Sequence, residues 1–340
     1  MAAMTLKERF INQLTGKKVD MTPVGCTTTY GVVDLMKKCG YERPLADTDP
    51  VAMTELAYAG HQYGGFEWVK AMGWDILPLS EAFGCELGTP KIDLQYSVKG
   101  HPYAEGVDHL TFPSNFLEKG RFPVFKENLK LLKKKVGEEL AMFGESEGAF
   151  TCGANLVGTE QFMRWCLKKR EAVSKVLEVT KQAAIAAANF AFDHGADYYV
   201  FAEPTSGPAL LSPGQYEKIV VPLEKEIISK IKGPVVLHIC GDTNDIIEMM
   251  CDTGVAGISI EEKTDLKRAV EIAHKKGVKV FGNVSTATTI FSGTPEEVYQ
   301  EAIRALENGT DFLCPGCGVA PRSPLENIMQ LKKARDDFFK

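Results

Sequence analysis

The chain has 340 residues, of which 44% are hydrophobic and 25% charged, and its net charge is −6. That balance suits a globular protein with a large core, argues against general nucleic-acid binding, and leaves no apolar run near the roughly 18 residues of a membrane span. Nine cysteines without a framework spacing do not read as secreted disulfide pairing, and the N-terminus lacks an apolar signal core. A cytoplasmic protein is expected.

In chain order, the N-terminal half offers three strand candidates, residues 23–28, 75–80 and 148–153, with an irregular insertion over 95–120. From about residue 190 strands and helices alternate regularly. Residues 195–203 read as a buried strand ending in Glu203, and Ser212 with Pro213 opens a helix as N-cap and N1. Residues 235–242 form an apolar strand that carries His238 and Cys240, and a helix follows through Met250. A strand over 257–261 ends in Glu261, a lysine-rich helix covers 265–276, and a strand over 278–283 ends in Asn283. Thr294 and Glu297 form a capping box for a helix that stops at Gly309. A strand over 311–314 comes next, and Ser323 with Glu326 repeats the box for the last helix. Eight strands alternating with helices predict an α/β fold, a (β/α)8 TIM barrel with an N-terminal helical extension and a long insertion in the N-terminal half. One domain over 1–340 is expected. No Gly-rich phosphate motif follows any strand, so nucleotide-binding folds lose their usual signal.

In an extended strand residues i and i+2 face the same side, so one imidazole and one thiol leave the strand together at its C-terminal end. A second soft cluster, Cys314-Pro315-Gly316-Cys317-Gly318, closes the strand over 311–314. Imidazole with thiolates suits zinc. In a barrel the strand ends share one rim, where Glu203, His238, Cys240, Glu261, Asn283, Cys314 and Cys317 would converge. Blander readings stand beside this one. Glu261 would also suit an ion pair with Lys263 or Arg268, and Glu203 and Asn283 would suit hydrogen bonds to loop backbone. Cys26, Cys39, Cys85, Cys152, Cys166 and Cys251 read as small buried hydrophobes. His61, His101, His109, His194 and His274 lack ligand-like companions. A redox reading of Cys314 and Cys317 is weaker, because no helix starts there.

The order His238-x-Cys240, then Ser259-Ile260-Glu261-Glu262-Lys263, then Gly282-Asn283-Val284-Ser285, then Pro315-Gly316-Cys317-Gly318 resembles the uroporphyrinogen decarboxylase superfamily. The resemblance is to its zinc-dependent methylcobamide:coenzyme M methyltransferase branch, which serves methanogenesis, and it runs from Leu6 to Ile328. It implies a (β/α)8 barrel, zinc held by His238, Cys240 and Cys317, and Glu261 in the fourth position while substrate is absent. It further implies methylcobamide as methyl donor, carried by a corrinoid protein that docks at the C-terminal rim, and coenzyme M or a similar small thiol as acceptor. Glu261, Glu203 and Asn283 are the expected catalytic side chains, and Arg322 and Arg164 are cations available to a sulfonate. The decarboxylases carry an arginine-rich segment after the first strand, whereas residues 26–36 here contain no arginine. That argues against a metal-free decarboxylase, which stands as the alternative together with a non-catalytic corrinoid- or zinc-binding barrel.

Overall fold

The computed structural model describes residues 4–340. Nine strands follow one another: β1 (Trp68–Lys70), β2 (Glu86–Leu87), β3 (Val98–Gly100), β4 (Ala141–Glu147), β5 (Tyr198–Ala202), β6 (Val235–His238), β7 (Gly257–Ser259), β8 (Lys279–Val284) and β9 (Phe312–Pro315). β2 and β3 make an antiparallel hairpin. The other seven form one parallel sheet in the order β1-β4-β5-β6-β7-β8-β9, with helices in the connections. The segment 23–25 lies between its two edges. Leu313 N donates to Pro23 O, Gly25 N donates to Leu313 O, and Glu67 N donates to Val24 O. The architecture is α/β and TIM-barrel-like.

Alternation along the strands sorts side chains into two populations. Met142, Tyr199, Phe201, Leu237, Ile258, Val280 and Leu313 join the large cluster shared with the helices. Trp68, Phe143, Tyr198, Val200, Val236, Phe281, Phe312 and Cys314 form a second cluster on the inner face. The helix Leu6–Leu14 starts with a capping box between Thr5 and Glu8 and inserts Phe10 into that inner cluster. The Phe10 ring lies 4.8 Å from Tyr198 and 4.9 Å from Phe312. Both partners open their strands, so the first helix packs across the N-terminal end of the sheet's interior. Beside it, buried Arg9 and Arg335 both pair with buried Glu67, which ties the first and last helices to the start of β1.

Three strand expectations fail, and residues 23–28 contribute only the isolated bridge of Val24 with Leu313. Residues 75–80 run into the helix Pro78–Ala82, and residues 148–153 into the helix Ala149–Val157. The strands in those places are β1 and β4, whose sequences hold Lys70, Glu145 and Glu147 and so do not read as apolar runs. Lys70 and Glu145 are fully buried and hydrogen-bonded to each other, and pairing offsets the desolvation that would expel either alone. The second capping box also fails. The last helix begins at Leu325 with Pro324 as N-cap, so Glu326 is one residue short of the reach-back position. Ser323 Oγ finds no partner, and Asp34 accepts the Leu325 N–H instead. The box at Thr294 forms as expected.

Candidate metal centre

β6 runs apolar until its last residue. Val236 and His238 face inward, Ile239 turns outward, and Cys240 returns to the inner face just before Gly241 bends away with φ of 86°. The periodicity of two thus delivers both donors to one point. Cys240 Sγ lies 3.2 Å from His238 Nε2 and 3.6 Å from Cys317 Sγ, and the three donor atoms fall within 4.8 Å of one another. His238 is buried, and both thiols are half-buried at the open side.

Cys317 reaches the cluster because the turn after β9 packs tightly on the turn after β7. A Cβ on Gly316 would stand 3.0 Å from Glu261 Cα and 3.3 Å from Glu262 N, so any larger residue would have to push the two turns apart by a few tenths of an ångström. Hydrogen bonds tie the turn after β6 to the turn after β7. Thr243 N donates to Thr264 Oγ1, and Asn244 Nδ2 donates to Lys263 O.

The two sulfurs share protons unequally. The hydrogen bond from Cys240, followed by the nearby imidazole, holds the Cys317 thiol well below the usual range. That same bond drives the Cys240 thiol upward. Burial opposes charge on His238, yet the Cys317 thiolate outweighs it and raises the imidazole. Burial and then the Cys317 thiolate raise the Glu261 carboxyl. Glu261 therefore stands within the field of the cluster at its open side, although its oxygens lie outside the three-atom group. Among the described residues it forms no ion pair with Lys263 or Arg268.

A scan of protein families matches the uroporphyrinogen decarboxylase (URO-D) model over residues 5–338. The chain belongs to the uroporphyrinogen decarboxylase family. Its relatives include the methylcobamide:CoM methyltransferase MtaA of Methanosarcina barkeri, 36% identical over 340 residues with all of both chains covered. The methylcobamide:CoM methyltransferase MtbA of Methanosarcina acetivorans is 30% identical, with 99% of each chain covered. Among solved structures, a methyltransferase from Methanosarcina mazei superposes with a TM-score of 0.96 at 37% identity, covering 99% of this chain and all of that one.

In this uroporphyrinogen decarboxylase family member the arginine-free stretch after residue 25 is largely core. Cys26, Tyr30, Val32, Leu35 and Met36 are fully buried, and Tyr30 OH donates to Ala57 O. The donor set fits zinc. Zinc–sulfur and zinc–nitrogen bonds of about 2.3 and 2.0 Å in a tetrahedron put sulfur and nitrogen roughly 3.5 Å apart and two sulfurs roughly 3.8 Å apart, within a few tenths of an ångström of the separations of Cys240 from His238 and from Cys317.

The structure does not bring every expected residue there. Glu203 is corrected: its buried carboxylate accepts the N–H groups of Phe150 and Thr151 and the Thr151 hydroxyl, so it caps the helix Ala149–Val157. Burial lifts it to about 7 against those bonds. Asn283 donates to Glu261 O and Thr264 O, both at 3.2 Å, and braces the turn that carries Glu261. Arg322 pairs with Asp93, and Arg164 with Glu160, on the exposed surface. Cys314 faces the aromatic interior, away from Cys317. Five of the six cysteines read as hydrophobes are buried, while Cys39 is half-buried. Sequence reasoning passed over Ser259, whose Oγ lies 3.0 Å from His238 Nδ1. Its signal was parity, since Ser259 shares the inward face with Glu261 two residues on.

Proposed function

We propose that this chain transfers a methyl group from a methylcobamide, carried by a corrinoid protein, to the thiol of coenzyme M or a similar small thiol. The observation behind the reading is the meeting of His238, Cys240 and Cys317 at one rim, in a chain matched end to end by methylcobamide:CoM methyltransferases. His238, Cys240 and Cys317 would hold a zinc ion, with the Glu261 carboxylate as the fourth group while substrate is absent. Zinc bound there supplies the Lewis acidity that keeps a thiol ionised near neutral pH.

The chain's own groups set the conditions. Two thiolates and a neutral imidazole balance a divalent cation, so exchanging the Glu261 carboxylate for a substrate thiolate leaves the site's charge unchanged. Asn283 holds the turn on which that carboxylate must swing aside. The packed aromatic interior below His238 blocks water from behind and leaves the C-terminal rim as the approach for both substrates. The substrate sulfur attacks the methyl carbon in line, and the cobalt–carbon electron pair stays with cobalt, giving a thioether and cob(I)amide. The corrinoid protein accordingly docks at that rim. The same reading takes residues 1–340 as one (β/α)8 barrel domain, with the segment 23–25 in the eighth strand position, and places it in the cytoplasm.

Metal analysis followed by methylcobalamin turnover with coenzyme M and a panel of other thiols tests the proposal. About one zinc per chain and thiol-dependent turnover are expected. A metal-free preparation with full methyl transfer overturns it.

A further inference from the structure

We infer that Ser259 is a positioning residue for the centre: its hydroxyl accepts the Nδ1–H of His238, fixes the imidazole tautomer, and so presents a bare Nε2 to the metal. The inference rests on the metal reading above and extends it to a residue outside the ligand set.

The placement follows from strand register. His238 of β6 and Ser259 of β7 are paired across the parallel ladder, and both face inward. His238 Nε2 lies toward Cys240 Sγ at 3.2 Å, while Nδ1 on the opposite edge of the ring lies 3.0 Å from Ser259 Oγ. A nitrogen that donates its lone pair to a cation cannot carry a proton, so the proton of a neutral imidazole must sit on Nδ1. Ser259 Oγ lies 3.0 Å from that nitrogen, and the backbone of the same residue also hydrogen-bonds the imidazole. Ser259 is fully buried. Burying its hydroxyl would be unfavourable without a partner, and the imidazole is its one side-chain partner among the described residues.

The chemical character of this acceptor matters. Metal-ligating histidines commonly lean on a carboxylate or a backbone carbonyl, which raises ligand basicity. Here two thiolates already face the centre, and a third anionic group, carboxylate or thiolate, completes it. A further negative group behind His238 would raise the cost of assembling that charge. A hydroxyl fixes the tautomer and adds none. β7 and the turn after it thus supply two groups two residues apart: Ser259 orients a ligand, and Glu261 stands at the exchangeable side.

The test uses the full chain, with zinc affinity read by competition with a chromophoric chelator and melting of the metal-free protein as the control for folding. Ser259→Ala is expected to weaken zinc roughly 10–100-fold at unchanged metal-free melting, and Ser259→Thr, which keeps the hydroxyl, to return within about threefold of the parent. An alanine variant that holds zinc within about threefold of the parent overturns the inference. Equal weakening in the alanine and threonine variants also overturns it, since packing rather than the hydroxyl would then matter. A second measurement needs no variant. Long-range proton–nitrogen correlation on the histidine-labelled, zinc-loaded chain should show His238 protonated at Nδ1, and the opposite tautomer sinks the idea even if Ser259→Ala fails to fold. A parent chain that binds no zinc removes the proposed function and this inference together. A zinc-loaded parent beside an unaffected alanine variant removes the inference alone.

Discussion

Lys70 and Glu145 are as deeply buried as His238, yet the two places treat polar groups in opposite ways. At the start of the sheet each charge is spent on its neighbour: Lys70 on Glu145, and Arg9 and Arg335 on Glu67. At the strand ends His238, Cys240 and Cys317 form no ion pair with a lysine, arginine or carboxylate among the described residues; Cys240 links the other two by hydrogen bonds, and the three donor atoms face one another. Buried polar groups that satisfy each other hold a fold together. Soft donors that converge at a rim and share protons a cation can displace specify a ligand.

Four groups of substitutions bear on that contrast, from the largest expected effect to the smallest. Cys317→Ala should abolish stoichiometric zinc and cut methyl transfer by about a thousandfold or more, whereas Cys314→Ala, three residues earlier in the aromatic interior, should keep both. Metal content and turnover of the two variants decide it. Equal loss in both would erase the distinction between rim and interior.

Lys70→Met should destabilise the fold by about 3–5 kcal/mol, because Glu145 is left charged and unpaired in the interior. A Lys70→Met, Glu145→Leu double variant should recover most of that loss in denaturant unfolding. Zinc stoichiometry should stay the same throughout. Loss of zinc in the double variant would mean that the pair belongs to the centre after all.

Glu203 separates a helix cap from a catalytic acid through its pH dependence. Its folded-state carboxyl is raised to about 7 by burial, so its contribution to stability is full below the unfolded value near 4.5 and is lost as pH rises through about 7. Stability should therefore fall from pH 5 to pH 8 by on the order of 3 kcal/mol from this group. Glu203→Gln should flatten that slope while methyl transfer at pH 7 changes by less than about tenfold. A catalytic role would show the reverse, with turnover lost and the slope unchanged.

Arg164→Ala and Arg322→Ala mark the small end. Each arginine sits in an exposed ion pair, so melting should move by less than about 1 °C. A selective rise in the KM for a sulfonated thiol, absent for a neutral one, would assign that arginine to substrate and draw it into the rim.

The second half of the chain was legible because its strands obey simple rules. Residues 235–240 are apolar and β-branched, helix starts such as Thr294 carry their caps, and each strand was placed within a few residues. The first half was not. β1 is three residues long and ends in Lys70, and β4 carries Glu145 and Glu147 with every residue buried. Composition alone assigns such strands to the surface, since the partner that neutralises Lys70 lies 75 positions away. Glu203 misled for a related reason: a carboxylate at a strand end looks the same whether it meets a substrate or the N–H groups of the next helix.

By itself the sequence determined that His238 and Cys240 leave one strand on one side, because that follows from the two-residue period of an extended chain. It also determined that Gly316 and Cys317 follow a later strand, and that the intervening units alternate. The tertiary structure decided that the sulfur of Cys317 comes within 3.6 Å of that of Cys240, that Cys314 does not join them, and that Ser259 stands behind the imidazole. Those are distances between segments 77 and 21 residues apart. Only strand register and the close packing of Gly316 on the turn after β7 could set them.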